Sequence, residues 1–103
     1  MNSIETELKK NGIEVTEKLS TLNSNTLAKN VADKIAQTFP DQDLNANELF
    51  ARFSRINMYK ANIPNGMAEA NYFYKNSSVY FRSNIPFEQL EKFAIHEFIH
   101  NLQ

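Results

Sequence analysis

The 103-residue sequence contains no cysteine. That excludes a disulfide-stapled scaffold and any thiolate metal site, and leaves His, Asp and Glu as the plausible metal ligands. Glycine occurs only twice, and no repeat or low-complexity linker divides the chain. No run of about 18 apolar residues is present, so no segment reads as a membrane span. Charge of one sign is missing too: 11 Lys and Arg stand against 12 Asp and Glu, for a net charge of −1. A balance of that kind gives no electrostatic footprint for nucleic acid or an anionic membrane, so neither is expected as a partner. The N-terminus, MNSIETELKK, lacks the charged-then-apolar pattern of a secretion signal, so the chain reads as cytoplasmic or as cut from something longer.

What remains is the composition of an ordinary folded domain, 42% hydrophobic and 22% charged. The length allows one small domain with a real core and little beyond it. Asparagine occurs 14 times, scattered rather than clustered, which points to an AT-rich bacterial genome and not to a prion-like tract.

Hydrophobic period divides the chain. Residues 1–66 read as mainly helical. Asn2 and Glu5 have capping-box spacing, Ile4 and Leu8 stand one turn apart, and Asn11-Gly12 would stop that helix. Between Gly12 and Asn25 the pattern is ambiguous, since Ile13 and Val15 alternate like a strand while Leu19 and Leu22 repeat like a helix. From Thr26 onward Leu27, Val31, Ile35 and Phe39 recur every four residues until Pro40. Asn45 and Glu48 form another capping box, followed by Leu49, Phe50, Phe53 and Ile56 on one face. Over residues 69–82 the period falls to two. Ala70, Tyr72 and Tyr74, then Val79 and Phe81, predict a β-hairpin around Lys75-Asn76-Ser77-Ser78. Residues 86–103 predict a final helix, opened by Pro86 and Glu88. Its apolar stripe is Leu90, Ala94, Phe98 and Leu102 with Ile95 and Ile99 beside it, which suits a central, buried helix. The expectation is a single α+β domain.

Both histidines of the sequence lie in that last helix, as His96-Glu97-Phe98-Ile99-His100. This is H-E-x-x-H. A spacing of four sets the rings about 40° apart around the axis and roughly 6 Å apart along it. Two imidazoles so placed can converge on one zinc ion at about 2.0–2.1 Å each. Glu97 points to the same side and reaches past the ion, where it can take a proton from a water acidified toward a pKa of about 7. It can then pass that proton to a leaving amine. The motif arises by chance in roughly one of several hundred chains of this length. Two plainer readings stay open. The histidines can be ordinary surface or core residues with Glu97 in an i,i+3 contact to His100, or the pair can hold a metal without catalysis.

The segment AIHEFIHNLQ resembles the active-site helix of the zincin metallopeptidases. The resemblance reaches back to Glu69, over about 35 residues. AEANYFYKNSSVYF followed by PFEQLEKFAIHEFIH is similar in order and spacing to the edge strand, hairpin and helix of the thermolysin-like members. It implies His96 and His100 as zinc ligands, Glu97 as general base, and a peptide or protein substrate. It also implies that Ala70, Asn71 and Tyr72 lie on an edge strand that pairs with an extended peptide, although a plain packed hairpin fits the same residues. Tyr72, Tyr74 and Tyr80 read as core or rim aromatics.

The departure from that family matters equally. A catalytic zinc site takes three protein ligands and a water, and in zincins the third follows the helix. The sequence ends at Gln103, three residues past His100. Glu69, Asp41 and Asp43 are upstream carboxylates without a recognised ligand spacing. The expectation is therefore the N-terminal part of a longer zincin, inactive alone, whose third ligand is a later Glu because no glycine turn follows His100. Apolar faces left by a missing C-terminal part would favour a homodimer. The competing expectation is a non-catalytic helical module that docks a partner through the Leu and Phe faces of residues 1–60.

Overall fold

A computed structural model describes residues 3–64, 70–73 and 77–102 of the chain. The first helix, α1 (Ser3–Lys10), ends where the sequence puts its Asn-Gly pair. Gly12 N–H donates to the Lys9 carbonyl at 3.0 Å and Ile13 N–H to the Leu8 carbonyl at 2.9 Å. This is the Schellman arrangement, with Gly12 at the left-handed position, φ +76°. Its hydrophobic contact is present as well, because Leu8 and Ile13 are buried in one cluster. A Cβ on Gly12 would also come within 3.0 Å of the Pro64 ring.

Helix α2 (Thr21–Thr38) starts earlier than Thr26, because Ser20 caps it: its hydroxyl accepts from the Asn23 N–H at 3.1 Å. Leu27, Ala28, Val31, Ala32 and Ile35 form its buried stripe. Phe39 does not continue that stripe; it is the C-cap and is 40% exposed. A short 3-10 turn (Pro40–Gln42) leads to α3 (Ala46–Phe53), capped by the Asn45 side chain, which accepts from the Glu48 N–H at 3.1 Å. Helix α3 stops at Phe53, so Ile56, though buried, lies in the connection after it and not on the helix face.

Residues 1–66 are less helical than their sequence implies, since they contain two strands, β1 (Glu14–Lys18) and β2 (Asn57–Asn62). With β3 (Ala70–Phe73) and β4 (Ser78–Arg82) they form a four-stranded sheet in the order β1-β2-β4-β3. The predicted hairpin is the antiparallel pair β3/β4; β4 also pairs with β2 in parallel, and β1 with β2 antiparallel. Glu69 and the hairpin residues 74–76 lie outside the described residues. The strand-like alternation of Ile13 and Val15 marks the start of β1, but it goes no further because every residue of the strand is exposed at the sheet edge. Strand β2 shows none because it is central and both its faces are covered. Met58 faces one core and Ala61 the other.

The larger core lies on one face of the sheet, where α2, α3 and α4 (Phe87–Leu102) pack on Met58, Val79 and Phe81. Tyr80, between Val79 and Phe81, faces the opposite side by the strand's period of two. There it joins Leu8, Ile13, Ala61 and Ile63, with the Tyr59 ring stacked on it at 5.2 Å. The architecture is α+β. Among the described residues no helix is long and apolar enough to cross a membrane.

Candidate metal centre

Helix α4 carries H-E-x-x-H and is fixed by its other side. Leu90, Ala94 and Phe98, four residues apart, are fully buried, and the Phe98 ring meets that of Phe53 at 4.7 Å and 37°. Ile95, Ile99 and Leu102 pack partly against the same core. The helix is buried on one side and not central as its apolar surface implied: at about 100° per residue the two histidines lie about 140° from the buried stripe, and both are exposed. One face anchors; the other is open to solvent.

On that open face the two rings converge. Nε2 of His96 and Nε2 of His100 are 3.1 Å apart, and the ring centroids 4.7 Å apart with planes at 83°. Two ligand nitrogens at about 2.0–2.1 Å from a tetrahedral ion are separated by about 3.3 Å. The observed spacing thus lies close to the bite of one zinc ion. The same spacing serves a hydrogen bond between one protonated and one unprotonated nitrogen when no metal is bound. Glu97 follows His96 on the helix and is half-buried.

Of the upstream carboxylates, Asp41 and Asp43 do not join the pair, and Glu69 lies outside the described residues. Asp41 sits in the 3-10 turn after α2 and Asp43 caps it in a left-handed conformation, φ 53°, both exposed. Among the described residues no group of three or more His, Cys, Asp or Glu side chains is gathered for a metal ion. The residues present therefore fit zinc as two of its ligands.

Ala70, Asn71 and Tyr72 form the first three positions of β3, the outermost strand of the sheet on the side away from β1. They are in register with Phe81, Tyr80 and Val79 of β4. Helix α4 packs against both strands, which puts the motif's helix beside this edge. Tyr80 is a core aromatic; Tyr74 lies outside the described residues. The Leu and Phe faces of the helical half, Leu27, Val31, Ile35, Leu49 and Phe53, are spent on the chain's own core.

Two residues at the site escape sequence reasoning. Arg52, in the last turn of α3, donates from Nε to the Asn101 side-chain oxygen at 2.6 Å and from Nη2 to the Asn101 main-chain oxygen at 2.7 Å. They are 49 positions apart, so no local spacing could have linked them. No family model matches the chain, and neither the curated proteins nor the solved structures give a significant match.

Proposed function

We propose that this chain carries the zinc-binding helix and general base of a cytoplasmic zinc metallopeptidase of the zincin type. The observation that carries the proposal is the 3.1 Å approach of the two Nε2 atoms within H-E-x-x-H. His96 and His100 hold the metal as two of its protein ligands. Among the described residues no third ligand is gathered with them, and without one two imidazoles bind weakly. Zinc, when bound, lowers the pKa of a water toward about 7 and polarises the scissile carbonyl.

The chain's own residues do the rest. Glu97 takes the proton from the attacking water and returns it to the departing amine nitrogen, so one carboxylate serves as base and then as acid. Among the described residues no strand pairs with the far edge of β3, and the main chain of Ala70, Asn71 and Tyr72 there takes an extended peptide, which adds as a further strand. Helix α4, which carries the motif, packs against that strand.

Calorimetric titration of zinc at neutral pH tests the assignment on the chain, on His96→Ala and on Glu97→Gln. One zinc per chain is expected, lost in His96→Ala and kept in Glu97→Gln, because the glutamate is base and not ligand. Equal binding by the chain and by His96→Ala, or none by either, overturns the reading.

A further inference from the structure

We propose that Arg52 is a positioning residue for His100, an inference that rests on reading the histidine pair as a metal half-site. His100 lies in the last turn of α4, where helices fray and carbonyls lack intrahelical donors. Arg52 supplies donors to that turn. Its Nε and Nη2, two parallel N–H groups on one edge of the guanidinium, take the side-chain and main-chain oxygens of Asn101 together. A fork on both oxygens of one residue fixes its rotamer and its peptide plane at once.

The next residue of α3 completes the grip. Phe53 packs its ring on Phe98. Consecutive residues of α3 thus hold α4 at positions 98 and 101, on either side of His100. A metal pair needs its donor atoms placed within about 0.5 Å, and the 3.1 Å nitrogen spacing depends on the backbone from position 96 to 100, whose His100 end lies between those two holds. Lysine cannot substitute, because an ammonium has no planar fork.

The experiment compares Arg52→Ala and Arg52→Lys with Lys34→Ala. The control removes the Lys34–Glu91 ion pair, a tie on α4 far from its last turn. Two quantities are read: zinc affinity by calorimetry, and the metal-free His100 side-chain rotamer from three-bond NMR couplings. Loss of outer hydrogen bonds at metal sites costs about 10- to 100-fold in affinity, and Arg52 acts one residue removed. About tenfold weaker zinc binding is therefore expected in both Arg52 variants, with His100 averaging over rotamers, while Lys34→Ala behaves as the unaltered chain. Unchanged affinity and an unchanged His100 rotamer in Arg52→Ala overturn the proposal, as does an equal loss in Lys34→Ala. Should the unaltered chain bind no zinc, the metallopeptidase reading falls by itself. The rotamer measurement then still decides on Arg52: averaging confined to its variants supports the positioning role, and no averaging refutes it.

Discussion

Along α4, Leu90, Ala94 and Phe98 are fully buried, whereas His96 and His100 stand exposed on another side of the same helix. The buried side is dictated by the fold. Its residues fill space between α2, α3 and the sheet, and any change of volume there is felt by close-packed neighbours. The exposed side is under no such demand. Lysine or glutamine at positions 96 and 100 would satisfy an exposed helix surface equally well. The fold therefore explains Phe98 and leaves the histidines unexplained, and that is the physical reason to look for chemistry in them.

The comparison predicts opposite responses to substitution. Phe98→Ala should have the largest effect, a loss of about 3–5 kcal/mol, since it removes a fully buried ring and leaves a cavity against Phe53. Urea denaturation measures it, and a cost under about 1 kcal/mol would mean that the site can collapse and that the buried side is not the anchor. A smaller effect is expected one layer out. Asn45→Ala removes the cap of α3, the helix that braces α4, and should cost about 1 kcal/mol. Hydrogen exchange would place the loss: faster exchange at the Glu48 amide is expected, with α2 unaffected.

Which parts of this arrangement could be read from sequence follows from how local their causes are. The stop at Gly12, the Asn45 cap, the stripe of Leu27, Val31 and Ile35, and the hairpin of β3 and β4 each depend on residues within a few positions. The histidine pair belongs with them, because four-residue spacing on a helix is a local geometry. Strand β1 was only half legible, through the alternation of Ile13 and Val15, and β2 not at all, for opposite reasons. EVTEK lies wholly exposed at an edge, and its charges suit an edge that must not recruit another strand. NMYKAN is central, so burial on both faces erased the alternation that marks a half-buried strand. The bulge between Val15 and Glu17 further blunts the β1 edge, while ANYF at the other edge has no charged residue. The hold of Arg52 on Asn101 is tertiary and has no sequence signal at all.

The smallest effect on folding is expected on the exposed face of α4. His96→Ala and His100→Ala should each shift metal-free stability by no more than about 0.5 kcal/mol, as for other exposed positions away from core and caps. Zinc separates these variants from the unaltered chain. At a free concentration near 100 times the dissociation constant, a ligand that binds only the folded state adds about 2.7 kcal/mol to stability. Thermal unfolding with and without zinc should show that gain in the unaltered chain and neither variant gaining. A gain of equal size in both variants would mean that zinc binds elsewhere. A loss of metal-free stability comparable to that of Phe98→Ala would mean that the histidines serve the fold. Either result would erase the distinction between the two faces.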